Sequence, residues 1–154
     1  MSTVNYERLD NQPLSIQPVV EHKDEQPIVS VVTTKPTSVL EDIGKAMELA
    51  EIRQDFSTDI STLLKINISW QHWYPGCSTS PWQLDGVIQA LKNLGHHDLI
   101  GAHNGTVVVD SFEGERNNKH KEVQDKHDLP VIHLDSLPNK WVDYLPKSEM
   151  LVLH

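Results

Sequence analysis

The chain has a single cysteine, Cys77, which excludes an intramolecular disulfide and a four-cysteine iron–sulfur cluster held by this chain alone. It has no basic run longer than Lys119-His120-Lys121, and 13 Lys and Arg stand against 22 Asp and Glu. A nucleic-acid backbone is therefore repelled on average, and nucleic acid is not an expected partner. No apolar run approaches the roughly 18 residues that a membrane span needs. The first twelve residues, MSTVNYERLDNQ, have neither a basic start nor an apolar core, so they do not form a secretion signal. A soluble, cytoplasmic protein without membrane attachment is expected. GxGxxG, Walker and GxSxG motifs are also missing, which disfavours the common nucleotide-binding folds and the hydrolase elbow.

What is present is a set of short β-branched runs alternating with helix signals. Residues 1–26 are polar, contain Pro13 and Pro18 and show no sustained period, as expected of a flexible arm. IVSVVTT at 28–34 reads as a first buried strand. Ser38 and Glu41 then fit a capping box, and Leu40, Ile43, Met47 and Ala50 give a helical stripe ending near 53–56. LLKINISW at 63–70 alternates, with Leu64, Ile66, Ile68 and Trp70 on one face and Leu63, Lys65, Asn67 and Ser69 on the other. Strand, helix and strand in this order predict a parallel βαβ unit.

A second helix opens at Ser80-Pro81, carries Leu84, Val87, Ile88, Leu91 and Leu94, and ends at Gly95. DLIGAH at 98–103 predicts a strand, and TVVVD at 106–110 a further short one. Residues 111–128 are strongly polar and fit a solvated helix or a mobile loop equally. VIHL at 131–134 and MLVL at 150–153 predict two more strands. The last of these is followed by His154 alone, which suggests a domain truncated at its C-terminal end.

The chemistry-bearing residues gather between the strand at 63–70 and the helix opening at Pro81. In an open parallel sheet this is the carboxyl-end side, where ligands bind. The free N–H groups of that helix start, with Ser78, Thr79 and Ser80, would suit a phosphate or carboxylate. The same residues also fit a simple cap and a Pro75-Gly76 turn. Cys77 is a candidate nucleophile or metal ligand, or an inert packing residue. Lys65 and Asn67 on a mostly apolar strand either face a ligand or lie on a partly wet face. Trp70 and Trp82 are expected in the core, with Trp73 and Tyr74 open. Among nine histidines no pair has H-E-x-x-H spacing, but His103 ends a strand on the same side of the sheet, next to Asn104. Asn117, Asn118 and His120 form a further polar cluster for which the sequence offers no mechanism.

These residues resemble the bacterial and archaeal family known as domain of unknown function 362. The carriers are Lys65-x-Asn67, the loop with Pro75 and Ser78-Thr79-x-Pro81, the helix ending at Gly95, and His103-Asn104. GERNNKH at 114–120, LPVIHL at 129–134 and YLPK at 144–147 follow in order. The resemblance covers 60–154 and only the N-terminal portion of the family's members, many of which carry or adjoin ferredoxin-type iron–sulfur modules. It implies an α/β domain with a redox or metal-linked role, and any iron–sulfur cluster would belong to a longer form or a partner.

The expectation is an α/β fold over 27–154, with a mostly parallel sheet flanked by helices in Rossmann-like layers. The expected function is a redox or metal-linked enzyme binding a small anionic ligand. Lys65, Cys77 and His103 would be the catalytic groups, and Asn67, Ser78, Thr79 and Asn104 would contact the ligand. The alternative is a non-catalytic binding or assembly module using Trp73 and Tyr74. The sequence specifies neither a cofactor nor an oligomeric state.

Overall fold

The structure is a computed structural model that describes residues 28–52, 57–105 and 109–137. Its centre is a three-stranded parallel sheet in the order β1 (Thr62–Lys65), β2 (Leu99–His103), β3 (Val131–His133). Helix α1 (Val39–Leu49) precedes the sheet, α2 (Pro81–Asn93) joins β1 to β2, and α3 (Ser111–Asn117) with α4 (His120–His127) joins β2 to β3. The described residues thus form a small α/β fold. Both crossovers move the chain the same way across the sheet, which puts their helices on one face when both have the usual hand. The core agrees: Ile66 and Leu99 from the sheet meet Leu84, Ile88 and Leu91 of α2 and Val123 of α4.

The alternation read at 63–70 is present. Ile66 and Ile68 are buried and Leu64 is half-buried, whereas Leu63, Lys65, Asn67 and Ser69 are exposed. The ladder itself is shorter than expected. After Ile66 donates its N–H to Ala102 O at 2.8 Å, the chain turns from the sheet to its own loop, and Asn67 O accepts from Thr79 N at 3.0 Å. Trp70 therefore lies beyond the sheet and is 45 % exposed, and Trp82, on the outer side of the first turn of α2, is 44 % exposed. Neither is a core residue, because neither position is covered by a neighbouring element.

The first predicted strand is not formed. Residues 28–34 have no ladder partner among the described residues, and Val29 and Val31 are 82 % and 86 % exposed. A β-branched run supplies local preference, but a strand also needs a partner edge and a surface to cover. The βαβ unit is consequently β1–α2–β2, two elements later than the sequence suggested. Helix α1 ends at Leu49, short of 53–56, because Glu51 takes a left-handed φ of 57°. Residues 53–56 lie outside the described residues, as do 106–108, the arm at 1–26 and the run at 150–153.

Ser38 occupies the N-cap position of α1, but its hydroxyl donates to Asp42 Oδ2 at 2.6 Å and caps no backbone N–H. A carboxylate is the stronger acceptor and wins that proton. Ser80 caps α2 through its carbonyl, which accepts from Gln83 and Leu84 N–H at 3.1 Å each, and its side chain makes no cap bond. The predicted stop is in place: Gly95 has φ of 97°, a conformation that favours glycine.

The polar stretch 111–128 is neither loop nor fully solvated helix. It forms α3 and α4, separated by Lys119 in the left-handed region, and buries Glu115, Asn118, His120 and Gln124. Asp110 caps α3 by accepting from Glu113 N–H at 2.9 Å. The helix can press against the extension of β1 because position 114 is glycine, where a Cβ would lie 2.5 Å from Ile68 Cγ2. That close approach places the next residue, Glu115, over the ends of β2 and β3.

Candidate metal centre

Two parallel strands end in histidine. The register pairs His103 of β2 with His133 of β3, so both side chains leave the same face at the carboxyl edge of the sheet. Their rings meet edge to face with centroids 4.3 Å apart. Glu115 arrives from α3, its Oε2 lying 3.4 Å from His133 Nε2 and 4.0 Å from His103 Nε2. The three side chains offer one donor atom each, all within 4.8 Å of one another. An ion bound at about 2.1 Å by each donor would hold them about 3.0–3.6 Å apart, so modest side-chain rotations close the set. Phe112, one turn before Glu115, stacks on His133 with centroids 3.9 Å apart and planes 7° from parallel, which fixes that ring.

His103 is fully buried, and neither of its ring nitrogens has a hydrogen-bond partner among the described residues. A neutral imidazole has one N–H and one lone pair, so a donor and an acceptor are both left unanswered in a dry site. Such groups are rare unless a ligand or ion completes them. His133 Nδ1 is in the same condition. Burial above all, then the neighbouring charges of His133 and His120, push the His103 imidazolium down to about 4 against the opposing pull of Asp135. At neutral pH His103 is therefore the neutral imidazole that binds metals.

His120 stands behind this cluster. It is fully buried, and its Nε2–H donates to Thr79 O at 2.5 Å, which leaves Nδ1 as an acceptor without a partner among the described residues. Burial lowers its pKa as well. Its role toward the loop is clear from that contact: it ties residue 79 to α4.

Asn118 performs the same task with three bonds. Its Nδ2 donates to Trp70 O and to Gly114 O at 2.9 Å each, and its Oδ1 accepts from Tyr74 N–H at 3.3 Å. Asn117 Nδ2 donates to Gln71 O at 2.9 Å. The cluster that had no mechanism in the sequence is thus a latch that clamps the aromatic loop onto the α3–α4 junction.

The residues expected to form the site divide between these two places. His103 is in the cluster. Lys65 is exposed at the end of β1, where its Nζ donates to Ile66 O at 3.4 Å and its charge disfavours protonation of His103. Asn67, Cys77 and Thr79 bind one another: Asn67 Nδ2 donates to Cys77 O at 3.0 Å, and Asn67 N–H donates to Thr79 Oγ1 at 3.1 Å. Cys77 is exposed, and Ser78 is buried with its hydroxyl unpartnered among the described residues. Asn104 Nδ2 donates to Gly105 O at 3.0 Å. None of these six side chains is a donor in the metal set, which takes Glu115 and His133 instead.

His133 could have been found from the sequence, since DLIGAH and LPVIHL both run from apolar residues to a terminal histidine and parallel pairing brings such ends together. Glu115 carried no such mark. No family model, curated protein or solved structure matches the chain. No helix among the described residues is long and apolar enough to cross a membrane.

Proposed function

We propose that this protein binds one divalent first-row transition metal ion at His103, Glu115 and His133, and works as a metal-linked enzyme on a small anionic ligand. The observation that carries this reading is the fully buried His103, whose two nitrogens have no hydrogen-bond partner among the described residues and lie beside a second histidine and a carboxylate. Two imidazoles and one carboxylate favour zinc, iron(II) or manganese over the all-oxygen cages of calcium and magnesium. Such a set leaves coordination positions open, through which the ion would supply Lewis acidity or redox chemistry to a bound oxygen donor. The chain's own groups would hold the ion, set the neutral state of His103, and fix the His133 ring against Phe112. The resemblance to domain of unknown function 362, with its redox or metal-linked role, belongs to this reading, as do the Rossmann-like layering and the cytoplasmic setting expected from the sequence. An iron–sulfur cluster would need cysteines from elsewhere.

Cobalt(II) and zinc titrations of chelator-treated protein test it. One equivalent should bind, the cobalt form should show ligand-field absorption, and His103→Ala, Glu115→Gln and His133→Ala should each abolish or sharply weaken uptake. Uptake that is absent, or unchanged in all three variants, refutes the site.

A second reading, a non-catalytic assembly module, is favoured by the exposure of Trp70, Trp73, Tyr74 and Trp82 around one loop and helix start. Light scattering with size-exclusion chromatography separates the two. The assembly reading requires a defined oligomer or complex that Trp73→Ala and Tyr74→Ala dissociate.

A further inference from the structure

A cavity of about 400 Å³ opens beside the metal ligands, with Glu115 and His133 in its wall. This falls in the size range of small-molecule sites, ~300–1,000 Å³. Phe112, Leu129 and Val131 supply apolar lining, and Gln124 and Arg116 supply donors. Gln124 lines the cavity and is 96 % buried, being 4 % exposed, yet its Nε2 has no hydrogen-bond partner among the described residues. A buried amide N–H without an acceptor is uncommon and points to one supplied from outside the chain. Arg116 also lines the cavity. No carboxylate pairs with it among the described residues, although the chain has a net charge of −9. The second cation of the lining, Lys121, is already engaged by Asp125.

We propose that this cavity binds a small organic acid whose carboxylate is held by Arg116 and Gln124 and whose apolar body lies on Phe112, Leu129 and Val131. Arg116 supplies the charge and a fork of N–H donors that matches a carboxylate, and Gln124 supplies a directional donor from the dry end. The far end of such a molecule reaches the wall that His133 and Glu115 form. The acid would thus be the ligand class served by the metal centre, and in that respect the inference rests on the metal reading. Binding of the acid itself requires only the cavity and is measurable without metal.

The probe is phenylacetate, with phenylacetamide as its uncharged counterpart of the same shape, followed by calorimetry and ligand-observed NMR. In chelator-treated wild-type protein, phenylacetate should bind saturably at one site and phenylacetamide at least roughly tenfold more weakly. Arg116→Gln and Gln124→Met should each weaken phenylacetate roughly tenfold while leaving zinc uptake at one equivalent. Arg116 is exposed and Gln124 Nε2 has no partner to lose among the described residues, so both variants should fold, which a thermal melt checks. Zinc loading should then shift phenylacetate affinity in wild type, and phenylacetate should shift zinc affinity by the same factor. Equal binding of acid and amide, or no binding of either, overturns the proposal even where zinc is taken up. Absence of zinc uptake with selective acid binding overturns the metal reading and leaves the acid site standing.

Discussion

Two buried polar residues of this protein, Asn118 and His103, are equally hidden from water and differ completely in how they are satisfied. Asn118 is 1 % exposed, and its side chain answers three backbone groups. His103 is 0 % exposed, and its ring answers none among the described residues. A buried polar group with its bonds made is a structural device, since it closes the backbone accounting of the loop it touches. A buried polar group with its bonds unmade destabilises the fold by about 1–3 kcal/mol and is kept only if something else uses it. By that criterion the Asn118 latch is architecture, and the His103 cluster is where the proposed metal site belongs.

Replacing both residues by leucine is the sharpest attempt to break the contrast. Asn118→Leu strands Tyr74 N–H and the carbonyl of Trp70, while Gly114 O keeps the backbone N–H of residue 118, and should reduce stability by about 3 kcal/mol in urea denaturation. His103→Leu removes orphaned atoms, and in the absence of metal it should be neutral or stabilising by up to about 1 kcal/mol while eliminating metal uptake. A large loss of metal-free stability for His103→Leu would place His103 with Asn118 and end the distinction.

The next effect is on pH. The folded-state pKa of His103 lies near 4 against an ordinary 6.5, and that of His120 is also lowered. Below the ordinary value the unfolded chain takes up protons that the folded chain refuses, so these groups make stability fall as pH drops from 6.5 toward 4. Above the ordinary value they contribute no slope. Denaturation of metal-free protein at pH 7.5, 6 and 5 should show this decline, and His103→Leu should make it shallower. An unchanged slope in that variant would mean that His103 is not held neutral by its surroundings.

The smallest effect is expected at the cysteine. Cys77 is exposed and touches the fold mainly through its backbone. Cys77→Ser should change stability by no more than about 0.5 kcal/mol and leave zinc stoichiometry intact. Loss of metal binding in this variant would transfer the chemistry from the strand ends to the loop.

Local patterns were legible wherever local physics decides. The α2 stripe, its Pro81 start and Gly95 stop, the alternation through Ile66 and Ile68, and the strands around Ala102 and Ile132 all follow from side-chain period and turn chemistry. The strand proposed at 28–34 had the same local credentials, and it failed because strand formation is a property of pairs. The core places proposed for Trp70 and Trp82 failed for a related reason, since bulk and apolarity do not say whether a neighbour will cover the ring. In the candidate site, His103 was reachable because it ends a strand on the ligand side of a parallel sheet. His133 ends its strand in the same way but needed the register. Glu115 sits in a polar run without a period, and nothing in its chemistry or spacing distinguishes it from Glu113 or Glu122.

The sequence alone determined β1, α2, β2 and β3, because these depend on residues within a few positions of one another. Only the tertiary structure decided that His103 and His133 are neighbours, that Gly114 lets α3 descend far enough to set Glu115 above them, and that Gln124 is buried with its Nε2 unpartnered among the described residues. Those facts depend on register, close approach and desolvation. All three are set between segments distant along the chain, and no local pattern records them.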